Sequence, residues 1–359
     1  MAPLSQARNM ADHIDHEMLN EKTSTFTNVV LSGKLTSSYD LARAAVNMLK
    51  DIVESTVDLS ADQLLDVIKQ AAQKLNEALA DESIVRNMVQ RVIKIIQDER
   101  TGHPEGEHQE SLQKLMLTTS SYGGQLQHQQ MSVHGLQVAI LDAISELLVE
   151  LESSAYNIAA QAPRYIHADE VIMTSGKSKT VLAFFKKATK KVKFQVIVAE
   201  HAPIYDGQEM ARDLAKEGIK VTVITDSSIF AVMSRVNKVI LGTDIILANG
   251  GLKAANGSHA VALAAKYFSV PLIVCAALFK LSPDYFCSDQ DAFNKIASSH
   301  PMLNYGQANH LSRLTVENPQ FDYVPPNLVT SFISNIGGNA PSYVYRLLND
   351  LYPAEECLI

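Results

Sequence analysis

Several features that would place the chain in a specialised class of protein are absent or scarce. It has only three cysteines, Cys275, Cys287 and Cys357, in no Cys-x-x-Cys or histidine-paired spacing. That excludes a disulfide framework and a cysteine-rich zinc site, and it favours a reducing cytosol. No run of 18 apolar residues occurs, and residues 1–18 lack the apolar segment of a signal peptide. We therefore expect neither a membrane span nor secretion.

Basic residues do not predominate either. The chain has 31 Lys and Arg against 39 Asp and Glu, which gives a formal net charge of −8. Because a nucleic-acid binder normally presents a net basic face, this balance argues against direct binding of nucleic acid. Seven lysines between residues 177 and 193 form a local exception. A solvated helix face, or a surface that meets an acidic protein, is the preferred interpretation of that run.

The 359 residues, 47% of them hydrophobic, are enough for about two globular domains. The pattern changes near residue 165. We predict a helical amino-terminal domain over residues 1–164 and a Rossmann-like α/β domain over residues 165–359. Upstream of the change, apolar residues recur every three or four positions, as in helices that pack into a bundle. Helices are predicted over residues 38–55, 61–79, 83–98 and 135–160, and Ser60 with Gln63 predicts a capping box before the second of them.

Downstream of residue 165, short apolar runs alternate with helical stretches. The runs cover residues 170–174, 195–200, 220–225, 238–243 and 271–277. Continuous apolar runs are typical of strands that are buried on both faces. Strict alternation with helices implies right-handed crossovers and a doubly wound parallel sheet. Ligands of such folds bind beyond the carboxyl ends of the strands, so functional residues are expected there.

Two fragments at strand ends resemble parts of catalytic sites. Ser-Gly-Lys-Ser at residues 175–178 lies between a strand and a helix, but Val171 stands where a phosphate-binding loop needs glycine. A strand-to-helix turn is favoured there, with anion binding by the helix start as the alternative. Asp244 could act as a general acid or base, but the sequence offers it no catalytic partner. We expect it instead to accept hydrogen bonds from nearby backbone amides or from Asn249 in the same loop. Asp226 is predicted to cap the helix that begins at Ser227.

Nothing in the sequence predicts a cofactor or a metal site. The histidines in and after the polar loop at residues 100–111 match no zinc-binding spacing and are expected to be solvated. They are His103, His108, His128 and His134.

Long strings in the carboxyl-terminal half carry a specific resemblance. They are residues 231–243, 238–276, 321–325 and 332–347, the last reading FISNIGGNAPSYVYRL. On these strings the chain resembles the beta-subunit branch of the regulatory subunits of eukaryotic translation initiation factor 2B. The resemblance is close over residues 165–359 and looser over the helical half.

The resemblance extends to sugar-phosphate isomerases that act on methylthioribose 1-phosphate and ribose 1,5-bisphosphate. Those enzymes pair a cysteine after their first domain strand with an aspartate in a Gly-x-Asp motif. Here Asp244 keeps the aspartate, but Ser175 stands at the place of the cysteine. In their Glu-x-Arg-Pro motif this chain keeps Glu200 but has Ala202 in place of the arginine. The resemblance therefore implies a vestigial pocket at Ser175, Glu200 and Asp244, because serine is a far weaker acid and alanine cannot clamp phosphate.

What the resemblance implies is a non-catalytic regulatory subunit of the guanine-nucleotide exchange factor for initiation factor 2. Its partners would be the alpha, gamma, delta and epsilon subunits of factor 2B, and initiation factor 2 in its GDP-bound or phosphorylated form. Such a subunit would position the substrate and sense its phosphorylation in the cytosol. The alternative function is that of a sugar-phosphate isomerase.

Helices are predicted to begin at Pro326 and near Pro341, and a final expectation concerns the loop between them. Asn335, Gly337, Gly338 and Asn339 are predicted to form a tight turn with at least one glycine at positive φ. The turn could be a connector between helices or a subunit contact, and the sequence favours neither.

Overall fold

A computed structural model describes residues 4–35, 37–56, 59–101, 133–285, 294–303 and 314–353. The chain packs into two compact units. One comprises Met1–Ala80 and Met88–Val149, and the other comprises Asp81–Asn87 and Glu150–Ile359. The second unit therefore includes the short segment Asp81–Asn87, which lies far from its other residues in the sequence. The domain boundary predicted between residues 164 and 165 stays a prediction.

The first unit is helical in its described residues. The helices that contribute to it are Leu4–Leu31 (α1), Ser38–Ser55 (α2), Ala61–Ala78 (α3), Ser83–Thr101 (α4) and Val133–Ala160 (α5). The predicted capping box is present at the start of α3. Ser60 Oγ accepts a hydrogen bond from the Gln63 amide, and Gln63 Oε1 accepts one from the Ser60 amide. The apolar stripe of α2 is buried, with Ala45, Leu49 and Ile52 excluded from solvent.

The second unit is built on strands that the apolar runs predict to within a few residues. In chain order the strands are Val171–Ser175 (β1), Gln195–Ala199 (β2), Lys220–Ile224 (β3), Lys238–Gly242 (β4), Ile245–Ile246 (β5), Leu252–Ala255 (β6), Leu272–Cys275 (β7), Phe321–Val324 (β8), Ser331–Ser334 (β9) and Gly337–Asn339 (β10). Seven of them form one sheet in the order β10-β9-β7-β4-β1-β2-β3. All neighbours in it are parallel except the β9–β10 pair. The predicted doubly wound, Rossmann-like fold is confirmed.

Helices precede, connect and follow the strands of this unit. They are Ala162–Tyr165 (α6), Lys179–Thr189 (α7), Asp206–Lys216 (α8), Ile229–Met233 (α9), Ser258–Tyr267 (α10) and Val344–Leu351 (α11). Phe184 and Phe185 of α7 and Val261 of α10 are wholly buried. Val196 and Val198, on one face of β2, are buried as completely, and Ile197 on its other face nearly so. Burial on both faces is the reason that these strands appear as unbroken apolar runs.

Two parts of this unit differ from the expectation of strict alternation. Strands β5, β6 and β8 form a separate antiparallel sheet, so the segment between β4 and α10 contains a hairpin. The stretch after Pro326 is a short 3₁₀ turn followed by β9, where the sequence pattern predicted a helix. Strand β9 has only Phe332 and Ile333 between two serines, too short an apolar run to stand out.

Candidate functional site

The strand order of the main sheet reverses between β1 and β4. Chain connections run from β1 through β2 to one edge and from β4 through β7 toward the other. In doubly wound folds this switch point, beyond the carboxyl ends of the strands, is where ligands bind. Ser175 ends β1, and Asp244 follows β4 by two residues. Glu200 follows β2, the other neighbour of β1. The three predicted pocket residues therefore follow adjacent strands.

The turn after β1 is closely packed. Gly176 has a φ of +62°, and Ser178 caps α7 by accepting a hydrogen bond from the Val181 amide (3.4 Å). A Cβ on Gly242 would lie 2.6 Å from Ser178 Oγ, so this cap packs directly on the end of β4. Because the serine itself serves the helix start, the structure favours a strand-to-helix turn at residues 175–178 over an anion site.

His201, in the loop after β2, is a site residue that sequence reasoning missed. Its imidazole is buried, and Nδ1 lies 2.7 Å from Asp206 Oδ1. The hydrogen bond to Asp206 raises the pKa of His201, and Asp226 and a hydrogen bond to the main chain of Asn256 raise it further, against the opposing effect of burial. A Cβ on Gly176 would lie 3.3 Å from His201 Nδ1, so the imidazole packs against the turn after β1. The only signal of it in the sequence is that residues 200–203, Glu-His-Ala-Pro, differ from the Glu-x-Arg-Pro motif of the isomerases.

Asp226 holds this same loop, so its predicted role as a helix cap is wrong. Its two carboxylate oxygens accept hydrogen bonds from the amides of His201 (3.0 Å) and Ala202 (2.7 Å). Thr225, by its position, is the N-cap of the 3₁₀ turn Asp226–Ser228. The partners of Asp226 lie more than twenty residues away, and no local pattern can show them.

Asp244 lies among lysines. Lys280 Nζ donates a hydrogen bond to the carbonyl of Thr243 (2.7 Å), the residue before Asp244. Burial lowers the pKa of Lys280, and the negative charge of Asp244 opposes that shift. Burial also lowers the pKa of Lys253, helped by Lys295 and opposed by acidic groups that include Asp244. The carboxylate therefore attracts two ammonium groups of its own chain.

The expectation that Asn249 is a partner of Asp244 finds no support in the contacts of Asn249. Its Nδ2 donates a hydrogen bond to the hydroxyl of Tyr323 (2.9 Å), and its Oδ1 accepts one from the Gly251 amide (2.8 Å). Asn249 thus joins its own hairpin to β8, which carries Tyr323. The role of this asparagine is to order the small sheet.

The predicted tight turn near the carboxyl terminus is a β-hairpin, so the expectation of a connector between helices is wrong. Strands β9 and β10 flank a two-residue turn, and Gly337 has a φ of +146°. Asn335 Oδ1 accepts a hydrogen bond from the Leu278 amide (3.0 Å), and its Nδ2 donates one to Glu150 (3.1 Å). Gly338, in β10 with Asn339, lies against the hydroxyl of Tyr165. Asn335 and Gly338 therefore pack the hairpin against other residues of the same unit.

The run of lysines after β1 is partly neutralised by carboxylates of α8 and the residue after it. Lys177 pairs with Glu209 (3.0 Å) and Asp213 (3.4 Å), and Lys186 pairs with Glu217 (3.0 Å). These ion pairs fit the interpretation of this run as a solvated helix face.

The described part of the chain contains no group of histidine, cysteine, aspartate and glutamate side chains that could hold a metal ion. None of its helices is both long enough and apolar enough to span a membrane. The predicted solvated residues His103, His108 and His128 lie outside the described residues, as does the side chain of His134.

Fold and site together define a doubly wound α/β protein whose switch-point residues are packed against side chains of the same chain. The model of the initiation factor 2 subunit family matches residues 34–341. The chain is 32% identical to translation initiation factor eIF2B subunit beta of Schizosaccharomyces pombe, over 91% of this chain and 95% of that protein. The chain belongs to the initiation factor 2 subunit family.

Other similarities differ in extent. The chain is 52% identical to eIF2B subunit beta of Dictyostelium discoideum, but the match covers 62% of this chain and only 57% of that protein. It is 28% identical to the ribose 1,5-bisphosphate isomerase of Archaeoglobus fulgidus, over 61% of this chain and 69% of the enzyme. The crystal structure of the tetrameric eIF2B-beta2-delta2 complex from C. thermophilum contains a chain with the same fold. Its TM-score is 0.71 at 24% identity, over 95% of this chain and 98% of that one.

Proposed function

We propose that the chain is a non-catalytic regulatory subunit of the guanine-nucleotide exchange factor for initiation factor 2. The observation that carries the proposal is the switch point. Ser175 and Ala202 stand where the related isomerases have their cysteine and arginine, and Asp244 is attracted by lysines of its own chain. A serine hydroxyl is too weak an acid to give up a proton near neutral pH, and the methyl group of alanine cannot hold phosphate. Two relatives named as beta subunits support the same conclusion, one matched over 95% of its length and the other over 57%.

In this proposal the chain works in the cytosol with the alpha, gamma, delta and epsilon subunits of factor 2B. Together they position GDP-bound initiation factor 2 and respond to its phosphorylated form. An exposed aromatic cluster on α9 and α10 supports assembly with a partner. Phe230 is 52% exposed and Tyr267 is 74% exposed, and their rings lie 5.1 Å apart. Clustered exposed aromatic rings of this kind mark interaction surfaces. Asn335, Gly337, Gly338 and Asn339 stay proposed contacts, with Ile336 exposed at the tip of their hairpin.

The experiment is GDP release from initiation factor 2 by the reconstituted factor, with and without this chain, on phosphorylated and unphosphorylated substrate. We expect that omission of the chain weakens or abolishes the response to phosphorylation. A factor that exchanges nucleotide and responds to phosphorylation equally well without the chain would contradict the proposal. The control is the epsilon subunit, which carries the exchange chemistry in this proposal, assayed by itself with and without added chain.

The second candidate function is that of a sugar-phosphate isomerase, which Asp244 and the 28% identity to such an enzyme favour. The purified chain would be offered ribose 1,5-bisphosphate and methylthioribose 1-phosphate. We expect no turnover above background. Turnover that disappears in Asp244→Asn would establish the isomerase instead, because an acid–base reaction needs the ionisable carboxyl group.

A further inference from the structure

The far end of the run of lysines after β1 lacks the partners that earlier members of the run have. Lys177 and Lys186 pair with carboxylates of α8 and of the residue after it, at 3.0 Å in each case. Lys187 lies over the ring of Tyr156, 5.2 Å from its centroid. The far end lies at the amino ends of two neighbouring strands, where Lys220 at the start of β3 joins it. We name four residues the amino-edge cluster: Lys190, Lys191 and Lys193, which lead into β2, and Lys220.

The amino-edge cluster has no bound counter-ion. All four lysines are exposed, and in the part of the chain that the structure describes none of them forms an ion pair with a carboxylate. Two acidic residues precede β1 at the same edge of the sheet. Glu170 is bound by Lys238 (2.7 Å), and Asp169 meets the cluster through its amide, which donates to the Lys193 carbonyl (2.8 Å). Four positive charges therefore lie together on a chain whose net charge is −8.

The main chain that carries the cluster is well ordered. The amides of Lys191 and Val192 both donate to the carbonyl of Ala188 (2.9 and 3.1 Å), a wholly buried residue in the last turn of α7. Phe194, which follows Lys193, is buried as well. Because the main chain is already fixed, a partner that binds these lysines has to order only their side chains.

The helix dipole explains only part of the cluster. Cations are favourable at the carboxyl end of a helix, and Lys190 is the C-cap of α7. Lys193 and Lys220 lie outside that effect, because it falls off within the last turn. Like charges that lie close together repel each other, so the free chain is destabilised by the cluster and a negatively charged partner would remove that repulsion.

The earlier part of the run indicates the chemistry of the partner, because its lysines bind glutamate and aspartate side chains. Nucleic acid fits less well. The phenylalanine rings within the run are buried and cannot stack on bases. A lipid surface also fits less well, because α7 buries its apolar face within its own unit and has none to insert.

We propose that the amino-edge cluster binds an acidic segment of another protein, whose glutamate and aspartate side chains pair with its lysines. The chain from Lys190 to Lys193 spans at most about 11 Å, and the neighbouring strand adds about 5 Å. An extended segment of about five residues is therefore long enough to cover the cluster. This inference goes beyond the proposed function and does not depend on it, since it concerns the chemistry of one surface.

The test measures how fast individual lysines are acetylated by sulfo-NHS-acetate, read by mass spectrometry, with and without a hexaglutamate peptide. It uses the full chain, together with the partner subunit that keeps it soluble. We expect hexaglutamate to slow acetylation of Lys190, Lys191 and Lys193 at least about threefold at low salt, and the effect to fade at about 0.5 M NaCl, because salt screens exposed charges. Lys34 and Lys266 are exposed lysines elsewhere in the chain, and their rates should not change.

Charge reversal gives an independent measurement. Lys191→Glu/Lys193→Glu should weaken the binding of fluorescein-labelled hexaglutamate, followed by fluorescence anisotropy, about fivefold or more, because two exposed ion pairs become two repulsions. The matched control Lys34→Glu/Lys266→Glu makes the same change in net charge and should have less than half of that effect. Phosphatidylserine vesicles and single-stranded oligothymidylate are measured alongside. The proposal is overturned if the two double variants lose affinity alike, or if vesicles or oligonucleotide bind the cluster more tightly than hexaglutamate does.

The acetylation rates without peptide show whether the cluster is already covered in the purified protein. If its lysines react as fast as Lys34 and Lys266, hexaglutamate must slow them, and unchanged rates overturn the proposal. If they are already slow, carbodiimide, which joins an amine to a carboxylate in contact with it, must link Lys191 or Lys193 to a glutamate or aspartate of the partner. A covered cluster that yields no such link overturns the proposal equally.

Discussion

Replacement of Gly338 by alanine tests how closely the β9–β10 hairpin is packed. Glycine at this position is required by close approach, since the positive φ of the turn belongs to Gly337. A Cβ on residue 338 would lie 1.8 Å from Tyr165 Oη and 3.0 Å from its Cζ. The hydroxyl would have to move by about 1.5 Å to regain van der Waals distance. Tyr165 cannot move freely, because its ring packs against Phe184 and its carbonyl accepts a hydrogen bond from Lys238 (2.7 Å).

The expected size follows from this overlap. Overpacking of a well-packed site costs about 1 to 3 kcal/mol. The reduced freedom of the unfolded chain with alanine offsets about 0.4 to 1 kcal/mol of that cost. A net loss of about 1 to 2 kcal/mol corresponds to a Tm lower by roughly 2 to 8 °C for a unit of this size. Scanning calorimetry of the purified chain, with its partner subunit if solubility requires it, measures the shift.

A double-mutant cycle identifies the cause. Tyr165→Phe removes the atom nearest to the new methyl group, so Tyr165→Phe combined with Gly338→Ala should regain more than half of the loss. The neighbouring Gly337→Ala is the control, because nothing lies within 4 Å of a Cβ there and its cost comes from the backbone. Tyr165→Phe should leave that cost unchanged. The reasoning fails if Gly338→Ala melts like the parent, or if Tyr165→Phe relieves both glycine variants alike.

Two further predictions concern pH and assembly. The raised pKa of His201 means that its contribution to stability is fully present below its unfolded pKa of about 6.5 and is lost as pH rises through the folded value. The Tm difference between the parent and His201→Gln should therefore narrow from pH 6 to pH 9; a constant difference would refute the link to Asp206 and Asp226. The chain expressed alone should form non-native oligomers, and co-expression with a delta-like partner should prevent them. Tyr267→Arg should weaken the binding of that partner in pull-downs, whereas Tyr285→Arg, at a similarly exposed tyrosine, should not. A monodisperse monomer at micromolar concentration would count against the assembly prediction.

Much of the fold follows from local patterns. The buried parallel strands are continuous apolar runs, so β2, predicted over residues 195–200, ends within one residue of that range. The capping box at Ser60 is likewise predictable, because it depends on only two residues that lie three positions apart. Strands β9 and β10 are short, and only two of their residues, Phe332 and Ile333, are apolar; the hairpin is held by long-range hydrogen bonds such as the one that the Leu278 amide donates to Asn335. Such bonds join residues far apart in the chain, where periodicity carries no signal.

The candidate site divides in the same way. Its position beyond the strand ends could be predicted, since the alternation of strand and helix implies a parallel sheet, and such sheets bind ligands beyond the carboxyl ends of their strands. The contacts that fill it could not. Asp226 binds main-chain amides some 25 residues earlier, and Lys280 reaches back 37 residues to Thr243. The sequence around Asp226 and Lys280 shows no pattern that would indicate these contacts, and only the folded chain brings the two side chains to the site.

The β9–β10 hairpin also gives the main sheet two unlike edges. On one side the last strand, β10, is three residues long and contains two glycines, and its direction is opposite to that of its neighbour. On the other side β3 is a five-residue parallel strand with Val223 exposed to solvent. A short, irregular edge strand is a poor template for the backbone of another chain, whereas a longer regular strand is a good one. Growth of the sheet into an intermolecular one, during misfolding or aggregation, should therefore begin at β3, and charged substitutions that improve solubility belong on that strand.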